Sequence, residues 1–324
     1  MKLSSAPPDR MRTLENEDPP VELKIKSPSS GVRAKTSMET TPRVSLATKR
    51  RMENKLAIQP SPSQEKEREL RQRRIVEQEF KDACMVIRAN AEWNEVSEAL
   101  LTIQKTISLR PDLVLDCLHD LTLSLVNQVH NLRSSVAKTA VACFNDMFIK
   151  LEKHMDADLD MTVGAILKKI GESGFLVDEA IKCLSTMAKH VTNTRAITAL
   201  LGSADHKNSA IRLRISILLQ TVITSFPDAQ ASRYVASFRD MEKLLPILVK
   251  FLREGLADSR NAAKRSLYFL SKYPDFEKVV MKTLSSSQIR EIQEAIEFIR
   301  NREELAGVPT DEVGRQGILE NLGN

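Results

Sequence analysis

The residue types that carry out most enzyme chemistry are present in this chain, but their spacing does not assemble a catalytic site. The five histidines are scattered, and none lies in an H-E-x-x-H pattern or at hydrogen-bonding spacing from an acidic partner. No glycine-rich phosphate-binding pattern occurs. The cysteines, Cys84, Cys117, Cys143 and Cys183, include no C-x-x-C pair that would indicate zinc or redox chemistry. The sequence therefore predicts no catalytic site, no metal site and no cofactor.

The one tryptophan offers binding chemistry instead. Trp93 lies in a short polar segment, 90–95, between a charged helical stretch and the apolar-periodic residues Val96, Leu100 and Ile103. A large aromatic ring with an N–H group, placed on a turn between helices, is a candidate contact for another protein. The alternative is that the ring packs beneath the first helix pair as part of the core. The residue alone leaves both interpretations open.

The elements that would position such residues are pairs of helices. Apolar residues recur at helical spacing throughout residues 67–301, and neither strict alternation nor hairpin-type Asn-Gly or Asp-Gly turns occur, so this segment is predicted to be all-α. The predicted pairs are 67–90 with 94–109, 111–128 with 133–152, 157–172 with 176–191, 194–202 with 208–226, 238–254 with 258–273, and 275–284 with 286–301. The turns recur about every 40 residues, which is typical of HEAT or armadillo repeats. Because each pair buries its apolar face only by stacking on its neighbours, the pattern predicts a short α-solenoid of about six HEAT-like hairpins.

The segments outside 67–301 have a different composition. Residues 1–66 hold 13 Lys and Arg against 8 Asp and Glu, and eight of the 13 prolines, so they are predicted to be a disordered, basic Ser/Pro-rich tail. Residues 302–324 are predicted to be a flexible C-terminal tail. No apolar run approaches membrane-spanning length, and the start lacks an apolar signal segment. The expected location is therefore the cytoplasm, with no membrane contact, and widely spaced reduced thiols suit that compartment.

The turns within successive pairs of a solenoid lie along one side and form a single surface, which we call the turn surface. Here it comprises Trp93; Asn131, Leu132 and Arg133; Gly174 and Phe175; His206, Lys207 and Asn208; and Ser259, Arg260 and Asn261, with basic residues following at Lys138, Arg212, Arg214, Lys264 and Arg265. A basic residue at a helix start opposes the helix dipole and costs a few tenths of a kcal/mol. Basic residues at the helix start recur in several pairs, which favours a functional surface. The alternative is that these polar turns are simply solvated.

These turns resemble those of the TOG domain, a tubulin-binding module of six HEAT repeats found in microtubule regulators. The resemblance rests on residues 91–100 (AEWNEVSEAL), 131–140 (NLRSSVAKTA), 206–212 (HKNSAIR) and 258–264 (DSRNAAK), and it covers residues 67–301. Within that family the pattern is closer to the CLASP and crescerin (TOG array regulator of axonemal microtubules) type than to the polymerase type. The resemblance implies a non-catalytic protein with a single TOG domain, which binds αβ-tubulin or the microtubule lattice and regulates microtubule dynamics or organisation. It also implies a place in the cytoskeleton, with the cilium or axoneme as the specific setting.

The same resemblance implies a set of site residues. Trp93 would pack against β-tubulin, and Leu132, Arg133 and Phe175 would extend that contact. Lysine and arginine residues of the later turns would reach toward α-tubulin; they are Lys207, Arg212, Arg260 and Lys264. Asn208 is also part of the implied tubulin-binding set. Two positions depart from the family pattern, because Val96 stands where Arg is frequent and Lys264 replaces an Arg. Lys keeps the charge but loses the bidentate geometry of Arg.

Three classes of partner remain open at this point. Under the tubulin hypothesis, the basic tail would contact the acidic microtubule surface in a salt-dependent way. The main alternative is a generic HEAT-repeat scaffold that binds a non-tubulin protein. Nucleic acid is disfavoured because no aromatic residues are interleaved with the basic clusters for base stacking.

Overall fold

The computed structural model describes residues 62–89, 91–172 and 174–305, and all regular structure within them is helical. In chain order the helices are α1 (Pro62–Arg88), α2 (Trp93–Leu109), α3 (Pro111–Leu115), α4 (Leu118–Val129), α5 (Ser134–Leu151), a 3-10 helix (Glu152–Asp158), α6 (Leu159–Gly171), α7 (Val177–His190), α8 (Asn193–Leu201), α9 (Ser209–Thr224), α10 (Asp228–Ala236), α11 (Phe238–Leu252), α12 (Ala257–Leu270), α13 (Phe276–Thr283) and α14 (Ser286–Leu305).

The helices pair and stack in two layers. Helices α1, α4, α6, α8, α11 and α13 form the first layer, in which each contacts the next, and α2, α5, α7, α9, α12 and α14 form the second layer in the same way. Each first-layer helix also packs against the second-layer helix that follows it within its pair. The predicted all-α solenoid of six HEAT-like hairpins is confirmed.

The apolar stripe on each helix explains why the pairs stack. Helix α5 carries Val136, Ala140, Phe144, Met147 and Leu151 at spacings of three and four residues, and all five are buried. Such positions lie on one side of a helix with 3.6 residues per turn. Because α5 contacts α2, α4 and α7, neighbours cover this stripe from several directions. Burial of a side chain such as Phe144 contributes roughly 2–3 kcal/mol to stability.

The connections between pairs differ from the predicted ones. The predicted helix 111–128 is two helices, because the backbone at Cys117 (φ −131°, ψ 23°) departs from helical geometry. Helix α3 contacts α2 and α5, whereas α4 contacts α1 and α6, so the break carries the chain from the second layer to the first. Helix α10 follows Pro227, where the pattern predicts no helix, and it buries Ala231, Tyr234 and Val235. The 3-10 helix occupies the end of the predicted 133–152 segment and the start of 157–172.

Both terminal helices extend beyond their predicted limits. Helix α1 begins at Pro62 instead of 67, and α14 continues to Leu305 instead of 301. Proline is tolerated in the first turn of a helix, and the charged residues that follow it are good helix formers. The rest of the two predicted tails, 1–61 and 306–324, lies outside the described residues.

A membrane-spanning helix needs about 20 consecutive, mostly apolar residues. Within residues 62–89, 91–172 and 174–305, no single helix is long and apolar enough to cross a membrane. Helices α9 and α10 pass the test only when taken together, and the chain bends by 116° between them.

Candidate functional site

The turn surface lies where first-layer helices end and second-layer helices begin. The connections α1–α2, α4–α5, α6–α7, α8–α9 and α11–α12 are named turns 1 to 5 in chain order. Side-chain contacts join each turn to the next pair along the stack. The five turns are therefore linked to one another along the stack. The prediction for Ser259 is wrong, because this residue lies within α12 and is fully buried.

Turn 1 presents the tryptophan to solvent. Trp93 is the first residue of α2, and its side chain is 48% exposed. The guanidinium carbon of Arg133, from turn 2, lies 5.4 Å from the centroid of the Trp93 ring, which is cation–π geometry. Val96, one helical turn later, is 2% exposed and belongs to the core. Trp93 is therefore a surface residue whose ring lies beside Arg133 of turn 2, whereas the buried side of α2 begins at Val96.

Turn 2 holds a leucine fully in solvent. The side chain of Asn131 accepts the backbone N–H of Arg133 at 2.9 Å and donates to Gln128 at 3.0 Å. Gln128 in turn donates to the carbonyl oxygen of Ile87 at the end of α1, at 3.0 Å. These bonds fix the shape of turn 2 and tie it to turn 1, while Leu132 is fully exposed. An apolar side chain held outward by a well-bonded turn is suited to contact a partner.

Turn 3 carries the second exposed aromatic ring. Phe175 is 66% exposed, and the Nζ atom of Lys138, from α5, lies 4.4 Å from its ring centroid. Gly174 precedes it with φ +88°, a left-handed conformation that glycine adopts without steric cost. A Cβ added at Gly171 would lie 3.0 Å from Nδ2 of Asn208. Turn 3 therefore contacts α5, which precedes it in the chain, and packs closely against turn 4, which follows it.

Turn 4 is shaped by a capping asparagine and an arginine. Asn208 is the N-cap of α9, and its side chain accepts the backbone N–H of Ala210 at 2.8 Å. The backbone N–H of Asn208 donates to Nδ1 of His206 at 3.1 Å. The Nη1 atom of Arg212 donates to the carbonyl oxygens of His206 and Lys207, at 2.9 and 2.8 Å. These bonds fix the loop backbone and leave the Lys207 side chain exposed.

Turns 4 and 5 are joined through Glu254. Arg212 donates from Nε and Nη2 to the two carboxylate oxygens of Glu254, at 2.5 and 3.0 Å. Arg260 donates from Nη1 to the carbonyl oxygens of Glu254 and Gly255, both at 2.7 Å. The hydrogen bond from Arg212 lowers the pKa of the Glu254 carboxyl below its usual range, and the same bond raises the pKa of Arg212. The two guanidinium groups are therefore bound within the chain and hold the loops in position.

The sixth pair closes the series. The Nζ atom of Lys264 lies 3.6 Å from the ring centroid of Phe298 on α14. Arg253, at the end of α11, donates to both carboxylate oxygens of Glu291 on α14, at 2.8 and 2.5 Å. The cation of Lys264 thus lies over an aromatic ring that is itself 45% exposed.

Several surface residues near these turns are absent from the predicted set. Leu256 in turn 5 is 41% exposed. It follows Gly255 directly, as Phe175 follows Gly174, and an apolar residue after a turn glycine is the signal that would have found it. Acidic residues are also exposed beside Trp93, at Glu92 and Glu95. The turn surface therefore carries exposed apolar, basic and acidic side chains, and it is less uniformly basic than the sequence predicts.

No group of three His, Cys, Asp or Glu residues lies close enough to hold a metal ion within the part of the chain that the structure describes.

Comparison with known families agrees with this architecture. Residues 76–293, from within α1 to within α14, match the family described as CLASP N terminal. The chain belongs to the CLASP N-terminal family. The matched segment contains all five turns, so the family covers the whole turn surface.

Curated relatives of this CLASP N-terminal chain include a protein named for axonemal microtubules and a crescerin-like protein. The chain is 32% identical over 232 residues to "TOG array regulator of axonemal microtubules protein 1" of Mus musculus, which is 71% of this chain and 13% of that protein. It is 27% identical over 215 residues to "Crescerin-like protein che-12" of Caenorhabditis elegans, which is 65% of this chain and 16% of that protein. The chain thus matches less than a fifth of the length of either relative. The predicted resemblance to TOG-domain regulators of the CLASP and crescerin type is confirmed.

A solved structure shares the fold. The structure described as "Structural Basis of Microtubule Plus End Tracking by XMAP215, CLIP-170 and EB1" superposes with a TM-score of 0.50 at 16% identity. The superposition covers 72% of this chain and 91% of that one.

Proposed function

We propose that this chain binds αβ-tubulin, free or in the microtubule lattice, through its turn surface, and thereby regulates microtubule dynamics or organisation. The observation that carries the proposal is the exposure of Trp93, Leu132 and Phe175 on three consecutive turns. Membership of the CLASP N-terminal family, and relatives named for regulating axonemal microtubules, support tubulin as the partner.

The three apolar side chains supply the energy in this proposal. Removing a large apolar side chain from water is worth roughly 1.5–3 kcal/mol, and Trp is the residue type most enriched in binding hot spots. Arg133 and Lys138 lie over the rings of Trp93 and Phe175, so both rings are already oriented before a partner arrives. Preorganised side chains lose less conformational entropy on binding.

The later turns supply charge and shape. Lys207 and Lys264 would provide positive charge toward the acidic surface of tubulin. Arg212 and Arg260 belong to the proposed site as residues that hold turns 4 and 5, since their guanidinium groups already donate to loop carbonyls. Asn208 contributes in the same way by capping α9.

Two finer elements complete the proposal. The basic tail predicted for residues 1–66 would add a salt-dependent contact with the acidic microtubule surface. The activity is proposed to take place in the cytoskeleton, with the axoneme of a cilium as the specific setting, which a relative named for axonemal microtubules supports. No enzymatic step is part of this function.

The test is co-migration with αβ-tubulin on gel filtration and co-pelleting with microtubules at low salt. Wild type is expected to bind in at least one of the two assays, and a variant combining Trp93→Ala, Leu132→Ala and Phe175→Ala is expected to bind in neither. Thermal unfolding of the variant checks that it remains folded. If wild type binds in neither assay, the tubulin proposal is wrong and a HEAT scaffold for another protein takes its place.

A further inference from the structure

The side of the second layer that faces away from the first layer carries a group of basic side chains. Four of them lie on three successive helices of that layer, namely Lys182 and Lys189 on α7, Arg214 on α9 and Arg265 on α12. Helix α9 contacts both α7 and α12, so the three helices lie side by side. Lys182, Lys189 and Arg265 are exposed, and Arg214 is half-buried. We call these four residues the outer basic surface.

Helical spacing places the outer basic surface along the bodies of the helices and not at the turns. Lys182 and Lys189 share one side of α7, and the buried residues of that helix, such as Leu184, lie on its other side. Each of the four basic residues lies more than one helical turn after the start of its helix. Arg214 and Arg265 follow turns 4 and 5 in the sequence, but they therefore belong to a different surface.

Acidic side chains of the described chain do not neutralise this surface. Helix α9 contains two arginines and no Asp or Glu, and α12 contains three basic residues and one acidic residue, in its first turn. The Nζ atom of Lys182 lies 3.8 Å from Oε1 of Glu179, which is too long for a hydrogen bond. No acidic residue among those described forms an ion pair with Lys189, Arg214 or Arg265. The outer basic surface therefore keeps a net positive charge.

Arg214, at the centre of this surface, lacks a hydrogen-bond acceptor within the described chain. Its side chain is half-buried, and no described residue accepts a hydrogen bond from its guanidinium group. Burial lowers the pKa of Arg214 below its ordinary value, and no nearby acid opposes this effect. A partly buried cation without an acceptor costs stability, which a carboxylate from another molecule would restore. The planar guanidinium group is suited to bind such a carboxylate through two parallel hydrogen bonds.

We propose that the outer basic surface binds an acidic peptide segment, rich in Asp and Glu, of a partner protein. Packed helices lie about 8–10 Å apart, so an extended peptide of about six residues reaches across α7, α9 and α12. In this arrangement one carboxylate binds Arg214, and others lie beside the two lysines and Arg265. Nucleic acid is the less favoured anion, because α7 and α9 contain no aromatic residue for base stacking. The proposal rests on the charge of this surface and not on tubulin binding at the turns.

The test is carbodiimide coupling of a glutamate peptide of about ten residues to the full-length chain at low salt, with the coupled lysines identified by mass spectrometry. Carbodiimide joins a carboxylate to a lysine amine that it contacts, so the reaction reports where the peptide is bound. Lys182 and Lys189 should couple at least about fivefold more than Lys243 and Lys278, which are exposed lysines of the first layer. Coupling spread evenly over these four lysines would overturn the proposal.

The decisive variant combines Arg214→Gln with Arg265→Gln, which removes two charges but no lysine. Coupling at Lys182 and Lys189 should fall roughly tenfold, while coupling to the lysines of residues 1–66 stays unchanged. Arg265→Gln alone, at an exposed position, should lower it about threefold and serves if circular dichroism shows the double variant unfolded. Unchanged coupling would overturn the proposal, and so would displacement of the peptide by an oligonucleotide of equal charge at a lower concentration than unlabelled peptide needs. Tubulin is absent from this assay, so its outcome and that of the tubulin proposal are independent.

Discussion

Replacing Arg212 by Ala is expected to destabilise the domain by breaking the link between turns 4 and 5. The side chains of Arg212 and Glu254 are only 20% and 10% exposed, and two hydrogen bonds join them. The substitution also frees the carbonyl oxygens of His206 and Lys207. Removing one partner of a fully buried ion pair costs about 3–5 kcal/mol, and partial exposure reduces this to about 2–3 kcal/mol here.

The assay is the free energy of unfolding in urea for Arg212→Ala, Glu254→Ala and the double variant. The double variant should lose less stability than the sum of the two single losses, because the second substitution removes the carboxylate that the first leaves unpaired. Arg253→Ala is the matched control, since Arg253 also binds a glutamate through two bonds but is 57% exposed. It should lose less than about 1 kcal/mol. Equal effects of Arg212→Ala and Arg253→Ala, or strictly additive losses in the cycle, would refute the assigned role of Arg212.

Three further predictions concern pH and the turns. The folded pKa of Glu254 lies below its ordinary 4.5, so its bond to Arg212 contributes stability above pH 4.5 and this stability is lost as the pH falls below 4.5. Between neutral and acid pH, the free energy of unfolding in urea should therefore fall more for wild type than for Arg212→Ala. An equal fall in both proteins would contradict this. Gly171→Ala would place a Cβ 2.9 Å from Cδ1 of Ile211 and 3.0 Å from Nδ2 of Asn208, and it should lower the free energy of unfolding by about 1–2 kcal/mol. Gly164→Ala, whose Cβ meets nothing within 4 Å, should raise it by about 0.5–1 kcal/mol. Asn208→Ala removes the N-cap of α9 and should lose about 1 kcal/mol in a thermal unfolding assay, while an unchanged melting temperature would show that the cap is dispensable.

The helical pairs were predictable because their apolar residues follow the period of a helix. The apolar stripe of α5 can be read directly from the sequence. Its neighbours can be inferred as well, because each helical pair covers its apolar face by stacking on the next pair. The break at Cys117 was not predictable in this way. Val114 lies before it, and Leu121 and Leu125 lie after it in the same helical phase. The helical spacing of apolar residues therefore continues across the bend. The bend is needed because the chain passes there from the second layer to the first, which the sequence pattern does not show.

The positions of the candidate site residues in the repeats were predictable, but their contacts within the chain were less so. A turn residue such as Leu132 is identified by its place in the repeat, and the structure leaves it exposed. The roles of Arg212 and Arg260 depend on acceptors that the fold supplies, namely the carboxylate of Glu254, 42 residues away from Arg212, and loop carbonyls. The spacing of residues in the sequence cannot show that these oxygens accept hydrogen bonds from the two arginines.

The most direct test of the turn surface is the dissociation constant for αβ-tubulin of Trp93→Ala compared with Leu101→Ala. Leu101 lies on the same helix as Trp93 and is 58% exposed, but it is two turns away from the turn surface. Burying the exposed half of the Trp93 ring is worth about 2–3 kcal/mol, so Trp93→Ala should weaken binding roughly 30- to 150-fold. Leu101→Ala should leave the constant within about twofold of wild type. Wild-type affinity in Trp93→Ala, or an equal loss in both variants, would contradict the proposal that tubulin binds at the turns.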